Sequence, residues 1–337
     1  MATLYNEAYL TETLGELQDL CQTWGLSPRT EVSLLNMSEN ATFRADDPEA
    51  AAPVILRVHR PYYHSLQEIE SELAWIEALR AEGVVETPEP LKVGGGGHIA
   101  NFTHRGETRH VVGFAFMEGK EPDLSADLVD GFVELGAISA RLHQHVERWP
   151  RPAAFQRKVW NFDTTLGTSP HWGEWRAALG LTDDGRALLA RTCALLDRQL
   201  AAYGTGRDRF GLIHADLRLA NLLVHGDRIG VIDFDDCGFG WFGYDFAAAV
   251  SFYETDPIIP DLQDAWLRGY RSVAPLPAED EAMLPTFVLL RRILLTAWIA
   301  SHAETPTAAD AGGAGFTDGT LALSDRYLTN HSRADHG

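Results

Sequence analysis

The run Gly211-Leu-Ile-His-Ala-Asp-Leu-Arg-Leu-Ala-Asn-Leu-Leu-Val224, followed by Ile229-Gly-Val-Ile-Asp-Phe-Asp-Asp236, constrains the fold more than any other part of the sequence. It reads as strand, polar loop, strand, tight turn, strand. Leu212 and Ile213 lead in, Leu222 to Val224 lead out, His225-Gly226-Asp227 turns, and Ile229 to Ile232 return. A hairpin of this kind gathers three polar side chains near one point: Asp216 and Asn221 from the loop, and Asp233 from the end of the second strand. Asp and Asn between apolar runs are ordinarily turn formers. Three coincident spacings inside an apolar frame argue for more than punctuation.

Phosphoryl transfer needs such a set. One carboxylate takes the proton of the attacking hydroxyl, while an amide and a second carboxylate hold magnesium against the nucleotide phosphates. The spacing H-x-D-x-x-x-x-N from His214 to Asn221 matches the catalytic loop of the protein-kinase signature, and Asp233 stands where the D-F-G aspartate does.

His214-Ala-Asp-Leu-Arg-Leu-Ala-Asn221, Val231-Ile-Asp-Phe-Asp-Asp236 and Gly243-Tyr-Asp-Phe-Ala247 together resemble the motifs of the aminoglycoside phosphotransferase and choline kinase-like family within the protein-kinase-like superfamily. That family also includes homoserine kinases, hydroxylysine kinases and the bacterial stress-response kinase. The resemblance implies an α+β, two-lobed protein-kinase-like fold, with a small β-rich N-lobe carrying one main helix and a larger, mostly helical C-lobe. It also implies ATP or GTP as donor, and Mg2+.

Composition narrows the partners. With 337 residues the chain is long enough for one large two-lobed unit or two domains. A formal charge of −20 excludes the basic footprint of a nucleic-acid partner and is compatible with a cationic substrate, although acidic surfaces commonly serve solubility alone. Cys21, Cys193 and Cys237 are too scattered for a disulfide framework or a zinc site. The N-terminus lacks the basic and apolar regions of a signal peptide, and the run Phe287 to Ala300 is split by Arg291 and Arg292, against a membrane span. The expectation is a cytoplasmic protein without a membrane partner; its oligomeric state is not readable.

In the first lobe, placed at 1–118, Leu10, Leu14, Leu17, Cys21 and Trp24 recur at helical spacing, and Thr30–Leu35, Ala41–Ala45 and Val54–Arg60 read as strands. The turn between the first two lies over the nucleotide phosphates in a kinase-like fold. It has no glycine, so Ser38 and Asn40 are the polar groups available there, against the alternative of an ordinary hairpin turn. Arg57 takes the place of the kinase lysine that grips the α- and β-phosphates, and Glu68, Glu70 and Glu72 on the next helix are candidates to pair with it. Glu72 is chosen, because it borders the apolar face and its separation from Arg57 resembles the family's. Pro88 to Val93 reads as a strand. Gly95, Gly97 and Ala100 nominally fit G-x-G-x-x-A, but a strand follows where a dinucleotide site needs a helix. Val111 to Met117 reads as an apolar strand running into a hinge, where Phe116, Met117 and Glu118 would meet the nucleobase.

In the second lobe, 119–337, Leu128–Trp149 and Ala187–Leu200 read as amphipathic helices, with Arg151–Leu181 irregular and rich in Trp. His143 reads as a buried structural histidine. Asp245 reads as a helix N-cap, and the family resemblance adds that it braces the catalytic loop. Asp261–Tyr270, Glu281–Ser301 and Thr317–Thr329 read as further helices, with Pro285 marking the true start of the second. Ala303–Gly315 reads as a mobile linker.

The expected reaction is transfer of a nucleotide γ-phosphate to the hydroxyl of a small, amine-bearing molecule such as an aminoglycoside, an amino alcohol or a hydroxy-amino acid. Asp216 accepts the hydroxyl proton, Asn221 and Asp233 ligate the metal, and His214 supports the loop. Arg218 either stabilises the transferring charge or is plain surface charge. Asp235, Asp236, Glu254 and Asp256 could meet an ammonium group, or merely favour helix starts. A Ser/Thr protein kinase is the first alternative. Against it, Ala215 replaces the H-R-D arginine, and only eleven residues, with no Ala-Pro-Glu, separate Asp233 from Asp245. A non-catalytic nucleotide-binding module is the second, and the joint retention of base and metal positions weighs against it.

Overall fold

The computed structural model describes residues 7–37, 40–122, 128–303 and 306–334. The chain divides into two compact units: Met1–Lys120 with Arg151–Gln156 and Leu223–Asp235, and Glu121–Pro150 with Arg157–Leu222 and Asp236–Gly337. Two segments that the sequence reading assigned to the C-terminal lobe thus belong to the first unit.

The first unit is built on a five-stranded antiparallel sheet. Helix α1 (Glu7–Leu20) precedes β1 (Glu31–Met37), β2 (Ala41–Asp46) and β3 (Val54–Val58); helix α2 (Leu66–Ala81) precedes β4 (Ile99–His104) and β5 (Glu107–Ala115). The strand order is β1-β2-β3-β5-β4. Alternation along β2 and β3 buries Ala41, Phe43, Ala45, Leu56 and Val58 on a core shared with Leu17 and Cys21. Helix α2 starts at a capping box, in which Ser65 accepts from the Glu68 N–H and Glu68 bonds back to the Ser65 N–H.

The expected strand at 88–93 is not a regular one. Pro88 and Pro90 lack N–H groups, so only Glu89 and Leu91 bond to β5, through Ala115 N–H and Gly113 C=O. The glycines that follow turn at φ values of +103° (Gly95), +101° (Gly96) and +82° (Gly97), and β4 follows them directly, as expected. The linker after β5 is held on both sides. Lys120 and Val224 exchange backbone hydrogen bonds of 3.1 and 2.8 Å. A Cβ at Gly230 would stand 2.3 Å from Met117 Sδ, so glycine there makes room for that side chain.

In the second unit, helix α3 (Leu128–Arg148) is followed by β6 (Val159–Trp160), α4 (Phe162–Thr165), α5 (Asp183–Tyr203) and β7 (Phe210–Ile213). The next two strands, β8 (Leu222–His225) and β9 (Arg228–Val231), form a hairpin that from Leu223 on belongs to the first unit. Then come β10 (Gly238–Trp241), α6 (Tyr244–Ala249), α7 (Ile259–Val273), α8 (Ala278–Ser301), α9 (Pro306–Asp310) and α10 (Ala314–Ala334). A small sheet runs β6-β10-β7. Helices α3 and α7 cross at glycines. A Cβ on Gly136 would lie 2.0 Å from the Trp266 carbonyl oxygen, and one on Gly269 would lie 1.8 Å from that of Val133.

Three expectations are corrected here. Pro285 lies inside α8 rather than at its start, at an exposed position, where it removes one backbone hydrogen bond from the helix. Asp245 is not an N-cap: Gly243 precedes α6, and the Asp245 carboxylate turns elsewhere. Part of the expected linker at 303–315 is helix α9. Helix α8 is long and apolar enough to cross a membrane, yet 78% of that apolar window is buried within the protein.

Candidate active site

The first unit assembles its charged groups around Arg57. This side chain projects from the middle of β3 and is buried. Its Nη2 donates to Glu72 Oε1 and Oε2 at 2.7 and 2.8 Å, so of the three glutamates on α2 the fully buried one is the partner. Glu72 sits among Ile69, Leu73 and Ile76, where an unpaired carboxylate would be costly. Arg57 Nη1 lies 3.8 Å from Asp233 Oδ1 and 4.0 Å from Asp235 Oδ1. Burial pushes the guanidinium down, but Glu72, Asp235 and Asp233 outweigh it and hold it above the ordinary arginine value. Asp233 follows β9 with φ at +61°, a left-handed conformation that a non-glycine residue adopts at a cost, and its side chain is 47% exposed.

Asp235, by contrast, is buried. His64 Nε2 stands 3.2 Å from its Oδ2, and His59 Nδ1 stands 3.6 Å from its Oδ1. Burial pushes its carboxyl up, but His64, Arg57 and His59 hold it well below the usual range. The histidines were not foreseen from sequence. Asn40 accepts from the Arg60 N–H at 3.1 Å, tying the β1–β2 turn to the end of β3, whereas Ser38 lies outside the described residues. Along the linker, the Arg44 guanidinium covers the Phe116 ring at 5.0 Å, Met117 packs on Gly230, and Glu118 lies 3.2 Å from His225.

The second unit assembles its groups around Asp216. Asp216 Oδ1 accepts from Arg291 Nη2 at 2.6 Å. Its Oδ2 accepts from Asn221 Nδ2 at 2.9 Å and from Arg218 Nε at 3.2 Å. Asn221 Nδ2 also donates to the Asp216 carbonyl at 2.8 Å, so the amide nitrogen is committed to the loop and the amide oxygen is the side chain's remaining polar atom. Burial raises the Asp216 carboxyl, but the charges of Arg218, Arg291 and His214 prevail and hold it below the ordinary aspartate value.

The loop backbone is strained and pinned. Ala215 has φ at +65°. Its N–H donates to Asp245 Oδ1 at 2.8 Å, and its carbonyl accepts from Arg291 Nη1 at 2.8 Å. The His214 N–H reaches Asp245 Oδ2 at 3.3 Å, so Asp245 braces the loop rather than capping a helix. His143 is buried as expected, bonding Asp245 through Nε2 and the Tyr270 hydroxyl through Nδ1, each at 3.0 Å.

Arg291 was read from sequence only as an interruption of an apolar run. The signal was there: an arginine in the middle of a buried helix needs buried acceptors. Its neighbour Arg292 corrects another expectation. Arg292 Nη1 donates to Glu254 Oε2 at 2.5 Å, with both side chains buried. Glu254 therefore neutralises an internal cation and does not face an acceptor. Burial holds its carboxyl above the usual value despite Arg292. Asp236 is half-buried, and its carbonyl accepts from Trp160 Nε1 at 2.8 Å.

A half-buried, arginine-held carboxylate beside a committed asparagine, and an arginine gripped by a helix glutamate beside an exposed aspartate, are the parts that phosphoryl transfer uses. Comparison with known proteins agrees. The phosphotransferase enzyme family matches residues 32–276. The structure of a microcompartment-associated aminopropanol kinase is 47% identical, covers 94% of this chain and 98% of that one, and superposes with a TM-score of 0.86. An amicoumacin kinase in complex with AMP-PNP, Ca2+ and Ami has the same fold at 21% identity, with a TM-score of 0.77 over 96% of this chain and 94% of that one. The amicoumacin kinase of Bacillus subtilis is 22% identical over 290 residues, covering 83% of this chain and 82% of its own. The chain thus belongs to the phosphotransferase enzyme family, has the protein-kinase-like fold, and is a small-molecule kinase.

Proposed function

We propose that the enzyme transfers the γ-phosphate of ATP, with Mg2+, to the hydroxyl of a small amino alcohol of the aminopropanol kind. The observation that carries the acceptor class is the 47% identity to an aminopropanol kinase across nearly the full length of both chains. An amicoumacin kinase of the same fold binds an ATP analogue and a divalent cation, which supports the donor and metal. The donor set suits a hard cation, because the Asn221 amide oxygen and the Asp233 carboxylate are both oxygen ligands. Each of those residues would offer an oxygen to the ion, which would supply positive charge to the nucleotide phosphates.

Asp216 would orient the acceptor hydroxyl and take its proton as the new O–P bond forms and the bond from the γ-phosphorus to the leaving diphosphate oxygen breaks. Held below the ordinary aspartate value, it is a weak base. That suits a loose transition state, in which the nucleophile gives up its proton late. Arg57, fixed by Glu72, would hold the α- and β-phosphates as a planar clamp. The test is coupled ADP release across a panel of acceptors: 1-amino-2-propanol, ethanolamine, choline, homoserine, aminoglycosides and a sugar. The expected result is that amino alcohols lead; the reading fails if none of them is turned over.

A further inference from the structure

We propose that the acceptor's amine is recognised in a small recess of the second unit, with Glu121 and Tyr253 as the residues that distinguish an ammonium end from a neutral one. This rests on the amino-alcohol reading above and assigns that acceptor its place.

The recess encloses about 130 Å3. Arg218 and Ser251 form one part of its wall, and both connect to the base. Arg218 Nε bonds Asp216 Oδ2 at 3.2 Å. Ser251 Oγ accepts from Arg291 Nε at 3.1 Å, and the same guanidinium bonds Asp216 Oδ1 at 2.6 Å. An acceptor seated here has its hydroxyl end beside the groups that hold Asp216.

The remaining wall sets the chemistry. Leu128 and Phe132 of α3 and Leu262 of α7 are apolar and match a short aliphatic body. Glu121 is exposed and is the one carboxylate among the described residues of the lining. Tyr253 is 43% exposed, and its ring supplies a π-face for a cation. Phe252, just before it, holds φ at +74°, a conformation strained for an aromatic residue; strain of this kind persists where surrounding structure imposes it and clusters at ligand clamps. Two of the four acidic residues that looked available for an ammonium are engaged elsewhere, Glu254 with Arg292 and Asp235 with His64, and neither Asp236 nor Asp256 lines this recess.

Size and charge also exclude acceptors. Drug-sized ligands need cavities of roughly 300–1,000 Å3, so an antibiotic acceptor does not fit. A hydroxy-amino acid would bring a carboxylate to a wall where the one cation among the described residues, Arg218, is already committed to Asp216. Burying that carboxylate unpaired is costly.

The experiment compares kcat/KM for 1-amino-2-propanol with that for propane-1,2-diol, in which a hydroxyl replaces the amine, in wild-type enzyme, Glu121→Gln and Tyr253→Leu. Homoserine is run as the carboxylate-bearing control. Both substituted positions are at least partly exposed, so the variants are expected to fold. The wild type is expected to prefer the amine over the diol and to turn homoserine over more slowly. Each variant should cut the amine-to-diol ratio by about tenfold, the scale of one ion pair or cation–π contact. If the wild type prefers the amine and neither variant lowers the ratio, the amine is read elsewhere; the recess assignment is overturned while the proposed function stands. If the wild type phosphorylates no amino alcohol, both fall.

Discussion

Arg291 reaches from the middle of helix α8 to place Nη2 2.6 Å from Asp216 Oδ1, while its Nη1 holds the Ala215 carbonyl at 2.8 Å. One buried guanidinium therefore fixes both the orientation of the Asp216 carboxylate and the strained backbone that presents it. The bond to the carboxylate is charge-assisted and so roughly twice as strong as a neutral one.

That pairing predicts a pH dependence. The folded Asp216 carboxyl lies below its ordinary value because Arg218, Arg291 and His214 outweigh the effect of burial. kcat/KM should then hold steady from neutral pH down past the ordinary aspartate value of about 3.9. Its acid limb should appear only as pH falls through the folded value. Because the folded value is depressed, the stability Asp216 contributes is present above the unfolded value and is lost over the same descent. Arg291→Gln should move the acid limb to higher pH, and Arg291→Lys, which keeps the charge, should move it less. A pH–rate series on the three proteins checks this; an unmoved limb in Arg291→Gln contradicts it.

Arg57 and Glu72 should act as a pair on nucleotide affinity. Glu72→Gln leaves the guanidinium in place but removes the charge that orients it, and a hydrogen bond to a charged group contributes roughly 1.5–3 kcal/mol. The expected outcome is an ATP dissociation constant raised about 10- to 100-fold, with a comparable loss in Arg57→Lys, measured by calorimetry. Unchanged affinity in both would remove Arg57 from the phosphate-binding role.

Glu254 and Arg292 should behave as structural partners. Breaking a buried pair leaves an uncompensated charge and costs about 3–5 kcal/mol. Glu254→Gln is expected to lower the unfolding midpoint sharply while leaving the acceptor KM of the folded fraction within about twofold. A large acceptor KM effect without loss of stability would return Glu254 to the acceptor site.

The α3–α7 crossing offers a test of packing alone. A Cβ at Gly269 would approach the Val133 carbonyl oxygen to 1.8 Å, and backbone cannot turn aside as a side-chain end can. Gly269→Ala should destabilise by at least about 3 kcal/mol in denaturant unfolding. Tolerance within about 0.5 kcal/mol would mean that the helices separate easily.

Much of this was legible in the chain. The spacing of His214, Asp216 and Asn221 was readable because a catalytic loop is local: its members are fixed by a few residues of backbone. Glu72 was chosen over Glu68 and Glu70 because it borders the apolar stripe of α2, and burial is what forces it onto Arg57. The partners brought from far along the chain were not readable. Arg291 and Asp216 stand 75 positions apart in the sequence, and nothing local in α8 names its acceptor. His64 on Asp235 is hidden in the same way. Local rules also lost to tertiary demands: Asp245 has the residue type of a cap, yet two backbone N–H groups of the strained loop take its carboxylate.

The most direct measurement is single-turnover phosphate transfer from ATP to 1-amino-2-propanol by Asp216→Asn, paired with ATP binding by the same protein. Transfer is expected to fall by about 10²- to 10⁴-fold, the usual contribution of a positioned general base, with ATP affinity retained. Transfer near the wild-type rate would contradict the assignment of Asp216 as the group that orients and deprotonates the acceptor.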